Sequence, residues 1–94
     1  MKTPVIVKED YILWYEPVSM DDYLHVFVHC DVKRWSPRIK RALKEDFETL
    51  RSLTKMPAYA LHDVGDTKHL KFLIMFGFVH EIDLPEDKSL FVLE

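Results

Sequence analysis

Glycine is nearly missing from this chain. Only Gly65 and Gly77 occur in 94 residues, and there is none between Met1 and Val64. A glycine-rich loop that brings the backbone close to a phosphate therefore has no place in the first two thirds. The single cysteine, Cys30, excludes an internal disulfide and makes a reducing, cytoplasmic setting the expectation. No apolar run approaches the roughly 20 residues that span a bilayer, so no membrane partner is expected. The opening "MKTPVIVKEDY" lacks the long apolar stretch of a secretory leader. Neither repeats nor a Ser/Gly-rich linker divide the chain, which reads as one domain over residues 1–94.

What is present is apolar and unevenly charged. A hydrophobic content of 48% with 13% aromatic residues excludes global disorder. The net charge of −3 conceals a sorting of signs. Lys33 to Lys55 holds eight basic residues and three acids, a local +5, which leaves −8 for the remainder. Within Lys33–Lys44 six residues are basic and none is acidic. Such a patch suits an anionic partner at one place, while the overall negative charge argues against a protein that coats nucleic acid.

Hydrophobic periodicity predicts eight elements. "TPVIV" and "YILWYEPV" read as strands, bounded by "KED" and by Pro17. "DYLHVFVHCDV" alternates, with Leu24, Val26, Val28 and Cys30 on one face and Tyr23, His25, Phe27 and His29 on the other. Ser36 caps a helix reaching about Thr54, with Ile39, Leu43, Phe47 and Leu50 on its apolar stripe. "MPAYALHDV" is a short strand. Asp66 caps "TKHLKFLIMF", which Gly77 ends. "FVHEIDL" and "SLFVLE" form a hairpin around "PEDK". The order β-β-β-α-β-α-β-β, with a right-handed parallel crossover through the long helix, predicts an α+β fold with one mixed sheet and two helices.

The start of the first helix is unusual. Arg38, Lys40 and Arg41 crowd the end where the helix dipole repels cations. Arg41–Glu45 and Lys44–Glu48 are available as i,i+4 pairs, worth only about 0.2–0.5 kcal/mol each. Two readings stand side by side: a solvated helix start, or an anion held there, whether CoA, a nucleotide or an acidic protein surface. Other reactive side chains carry less. His25 and His29 stand about 13 Å apart on one strand face and Cys30 points the other way, so no single metal ion joins them. For the same reason His29 cannot activate the Cys30 thiol. His62, at a strand end beside the second helix, is the candidate general base.

From Tyr23 onward the chain resembles the GNAT N-acetyltransferases, in particular the short acetyltransferase-like proteins of bacteriophages. The resemblance covers about 70 residues: "LHVFVHCDV" running through a loop into an amphipathic helix, "AYALHDV" leading to a shorter helix that ends in Gly77-Phe78, and a final hairpin. The family's first strand and pair of helices would be reduced to "TPVIVKEDYILWYEPV". The resemblance implies that "DVKRWSPR" is the loop that holds the pyrophosphate of acetyl-CoA, with Val32, Lys33, Arg34, Ser36, Arg38 and Arg41 at the anion. Two departures stand out. The family loop R/Q-x-x-G-x-G/A has no glycine here, and Pro37 and Trp35 remove a donor and add bulk. In the family pattern N-x-x-A-x-x-L-Y-x-x-x-G-F the tyrosine protonates the departing thiolate. Counting back from Gly77-Phe78, its position holds Leu73, with Asp66 at the Asn and His69 at the Ala position.

The first expectation is therefore a minimal, phage-type GNAT-like domain without the acetyl-transfer apparatus, acting as a binding protein for a host protein or an anionic ligand. The alternative is a working acetyl-CoA-dependent N-acetyltransferase with His62 or a water as base. A nucleic-acid-binding accessory protein is the third and weaker reading. If the family's first helices are missing, the flank of the second helix and "YILWY" need cover, which a homodimer would supply.

Overall fold

A computed structural model describes all residues, Met1–Glu94. The elements are β1 (Thr3–Val7), β2 (Tyr11–Met20), β3 (Tyr23–Val32), α1 (Pro37–Thr54), β4 (Ala58–Asp63), α2 (Thr67–Met75), β5 (Val79–Leu84) and β6 (Lys88–Leu93). They form one six-stranded mixed sheet in the order β1-β2-β3-β4-β6-β5. All neighbours are antiparallel except β3 and β4, which run parallel and are joined by α1. The fold is α+β.

Side-chain parity decides which face of the sheet is covered. Tyr11 and Leu13 of β2, Val28 of β3, Ala58 and Ala60 of β4, and Phe91 and Leu93 of β6 all point to one side. There they meet Ile39, Leu43 and Phe47 of α1 and Leu73 and Phe76 at the end of α2. Leu13 and Leu43 are completely buried, and Leu73 is 2% exposed. Phe47 is the hinge of this core, its ring 5.3 Å from that of Phe76 and 6.0 Å from that of Phe78. The two alanines on β4 are small enough for both helices to approach the sheet. No helix lies over the other face, where Trp14, His25, Phe27, His29, Tyr59 and Leu61 sit.

Local chemistry ends the elements as expected. Ser36 accepts the N–H of Ile39 through Oγ, with Pro37 at the first helical position. Asp66 accepts the N–H of His69. Gly77 takes φ +89°, so its N–H reaches the Ile74 carbonyl and the N–H of Phe78 reaches Leu73 at 2.9 Å. This paired bond closes the last turn of α2 and directs Phe78 into the core.

Three expectations are corrected. β2 does not stop at Pro17 but continues to Met20, and a tight turn at Asp21-Asp22, both with positive φ, leads into β3. β1 pairs with β2 only as far as Tyr15. Beyond it β2 is a free edge, where a proline without an N–H costs the ladder nothing. α2 is apolar around its circumference yet buried on one side only, since Ile74 is 62% exposed. The Arg41–Glu45 and Lys44–Glu48 ion pairs do not form; the salt bridges lie elsewhere.

The parallel seam is short. β2 and β3 pair through ten residues each, from Tyr11↔Val32 to Met20↔Tyr23, but β3 and β4 share only Val26↔Ala58 and Phe27↔Tyr59. Beyond these the strands part, and a gap opens between Val28–Val32 and Ala60–Asp63. A separating parallel pair leaves backbone groups without ladder partners at the carboxyl ends of its strands, where ligands commonly bind in α/β sheets.

Candidate functional site

The carboxyl ends of β3, β4 and β5 lie at one edge of the sheet, together with the starts of α1, α2 and β6. This edge gathers most of the chain's reactive side chains. From β4 comes His62, 4% exposed and inward-facing in step with Ala58 and Ala60. Its Nδ1 lies 2.9 Å from Nδ1 of His69 in the first turn of α2. The rings stack with centroids 5.1 Å apart, and Phe91 presents an edge to His62 at 5.3 Å. Burial, then the neighbouring His62, holds the pKa of His69 below the ordinary histidine value, while Asp66 and Asp63 pull it upward.

Around this pair the charged groups are committed to one another. Asp63 accepts a hydrogen bond from Lys88 Nζ, which lowers the carboxyl pKa and raises that of the amine. Asp83 accepts from His80 Nε2 at 2.7 Å and from the buried Ser89 hydroxyl at 3.2 Å, and its pKa is lowered by both. The sequence offered His62 as a lone base. The structure supplies the partner that it lacked, since strand parity turns His62 toward α2 and the first helical turn puts His69 opposite.

Across the gap lies the cationic loop. Lys33 and Arg34 donate their backbone N–H groups to the Asp10 carbonyl, at 2.8 and 3.4 Å, so neither N–H is left for a ligand. Ser36 Oγ accepts the Ile39 N–H, which leaves its O–H free to donate. Val32 pairs with Tyr11 and packs against the core, leaving its side chain no part in a surface site. The side chains are different. Arg34 approaches Asp10 only to 4.0 Å, and Lys33, Arg38, Lys40 and Arg41 enter no salt bridge. Five cations thus surround the start of α1 with one marginal partner among them. The backbone N–H groups of Trp35, Ser36 and Arg38 make no intrachain bond, so an anion here would meet these donors as well as the side-chain charge.

Trp35 closes the cleft between the helices at this edge. Its indole lies 6.4 Å from the rings of both Phe72 and Phe76 and remains half-exposed. Leu73 is buried in the core and has no proton to give.

The remaining candidates take separate partners. His25 bonds the Tyr23 carbonyl and lies tilted against the Tyr59 ring at 4.9 Å, while His29 bonds Glu16 at 3.0 Å on the same open face. Cys30 faces the core side, and burial pushes its thiol up to about 12, which keeps it an un-ionised thiol. Two shallow clefts, of about 360 and 420 Å³, lie at the opposite end of the molecule, around Glu48, Arg51 and Glu94. They hold none of these groups. No helix is long and apolar enough to cross a membrane.

A scan against protein-family models finds no match for the chain, and no curated protein or solved structure matches it either.

Proposed function

We propose that the chain is a reduced GNAT-like domain whose carboxyl edge binds an anionic ligand or the acidic surface of a host protein, without transferring an acetyl group. The strand order, the single parallel pair bridged by α1 and the strand gap beside the α1 start support the family reading. One observation carries the function: Lys33, Arg34, Arg38, Lys40 and Arg41 cluster at a helix start with almost no internal counter-charge. Cations kept there against the helix dipole destabilise the empty protein slightly and favour an anion. A phage-type protein of this kind would work in the host cytoplasm.

A thermal-shift titration tests this reading. CoA and inorganic pyrophosphate should raise the melting temperature of the native chain and leave Arg38→Glu/Arg41→Glu unmoved. A ligand at about 100 times its dissociation constant adds about 2.7 kcal/mol. If neither probe shifts the native chain at millimolar concentration, a pull-down from bacterial lysate with the same two proteins decides for or against a protein partner.

The second reading, an acetyl-CoA-dependent N-acetyltransferase, is favoured by the His62–His69 contact, because an oriented histidine pair is a better base than a lone one. Leu73, the bonded N–H groups of Lys33 and Arg34 and the bulk of Trp35 speak against it. Release of CoA from acetyl-CoA with an amine acceptor, abolished by His62→Gln, would establish it. The nucleic-acid reading keeps only the cationic patch in its favour, and the absence of a mobility shift with DNA at low salt would dismiss it. A homodimer covering the exposed flank of α2 and residues 11–15 of β2 remains part of the proposal, with light scattering of the purified chain as its test.

A further inference from the structure

The contact between β4 and α2 depends on a proton count. A 2.9 Å separation between two Nδ1 atoms holds one hydrogen: one ring donates and the other presents its lone pair. Two neutral rings satisfy this, and so does one imidazolium beside one neutral ring. Two imidazoliums do not. Each would then direct an N–H into the same gap and carry a positive charge against its neighbour.

The neighbouring carboxylates relieve that conflict only in part: Asp66 and Asp63 favour the charged form of His69, but each already holds another donor. On α2, Asp66 Oδ1 is occupied by the backbone N–H of His69. On β4, Asp63 is bonded to Lys88 of β6. On β5 and β6, Asp83 holds His80 and Ser89, and His80 meets the far side of the contact through Phe91, at 5.6 Å. His62 is 4% exposed and His69 half-buried, so water meets the pair only on the His69 side. Doubly protonated rings must separate.

We propose that His62 and His69 form a one-proton latch that holds the first turn of α2 on β4 and releases it when both rings are protonated. The sign follows from the environment. His69 is less basic in the folded chain than in the unfolded one, whose histidines titrate near 6.5. The unfolded state therefore binds more protons, and stability falls as pH drops below that value. Release would loosen the turn that precedes Phe72, against which Trp35 rests, and so couples acidity to the cover of the carboxyl edge.

The test compares the native chain with His69→Gln between pH 8 and 5, by urea unfolding and by hydrogen exchange. Glutamine can donate an N–H to His62 Nδ1 but takes up no proton. His25, His29 and His80 are common to both proteins and cancel in the comparison. Below pH 6.5 the unfolding constant of the native chain should rise more steeply than that of the variant, by up to about tenfold per pH unit for the additional proton. Protection of the amides of residues 67–70 should fall over the same interval while the β2–β3 amides keep theirs. Equal slopes and unchanged protection would overturn the latch. If His69→Gln fails to fold, an NMR titration of the native imidazoles decides. One ring titrating well below the other supports it, and two rings titrating independently at ordinary values would refute it.

Discussion

The two helices are tied to the same face of the sheet by opposite kinds of polar contact. α1 is tied by charge. Asp46 accepts from the Tyr11 hydroxyl of β2 and from Lys8 Nζ at 2.9 Å, and the same ammonium lies 5.5 Å from the centre of the Tyr11 ring. α2 is tied by a single hydrogen shared between two imidazoles. A carboxylate with two donors at the rim of the core is satisfied over a broad pH range. A histidine pair is satisfied only while it lacks its second proton. The longer helix, with Ile39, Leu43 and Phe47 buried, thus has the contact that is insensitive near neutrality, and the shorter one has the contact that is not.

The comparison can be broken most forcefully in the core. Leu43→Ala and Leu73→Ala each delete a fully buried side chain and should cost about 2–5 kcal/mol by urea unfolding. If α2 is held as a unit with the sheet, both variants lose stability in a single transition. A separate early transition for Leu73→Ala alone would show α2 to be independent. Next comes Tyr11→Phe, which removes a hydrogen bond to a charged acceptor and should cost about 1.5–3 kcal/mol.

Tyr11→Phe also sharpens the contrast in pH. The pKa values of Lys8 and Tyr11 are both raised, Lys8 first by its hydrogen bond to Asp46 and Tyr11 first by burial. A raised value means stability that is present below the unfolded pKa, near 10, and is lost as pH rises through the folded one. Urea midpoints of the native chain should decline above pH 10, less so in Tyr11→Phe, whereas the α2 contact fails on the acid side.

Gly77→Ala is a smaller perturbation. It forces a Cβ into the left-handed region, with Leu93 Cδ1 3.4 Å from the added carbon, at a cost of about 1–2 kcal/mol in a melting experiment. Smallest is Arg38→Glu. Reversing one charge at the α1 start should stabilise the ligand-free protein by about 0.3–1 kcal/mol at low salt, an effect erased by high salt. A clear loss of stability would instead make that arginine structural.

Much of the fold was legible because its signals are local. Alternation along β3, Ser36-Pro37 before α1, and Asp66 and Gly77 around α2 each act within a few residues, and those elements fall within a residue or two of their expected bounds. The Asp21-Asp22 turn was not legible, since two aspartates lack the permissive backbone of the Asn-Gly or Asp-Gly pairs that announce a hairpin. Nor was the one-sided burial of α2. Periodicity reports which residues are apolar, and only the packing decides that Ile74 faces solvent. At the candidate site the cations were visible in the sequence, but their freedom from Glu45 and Glu48 was not. The His62–His69 contact links two elements whose relative placement is tertiary. Its one available signal was parity, because His62 falls in step with Ala58 and Ala60 and α2 must return over that face.

The two-residue pairing of β3 with β4 divides the sheet mechanically. On one side stands a meander of β1, β2 and β3, and on the other the trio β4, β6 and β5; the rungs at Val26–Ala58 and Phe27–Tyr59 are the only hydrogen-bonded stitching between them. The halves stay in register because α1 lies over both like a splint. A force drawing the two halves apart in the plane of the sheet would meet the fewest backbone hydrogen bonds along that line.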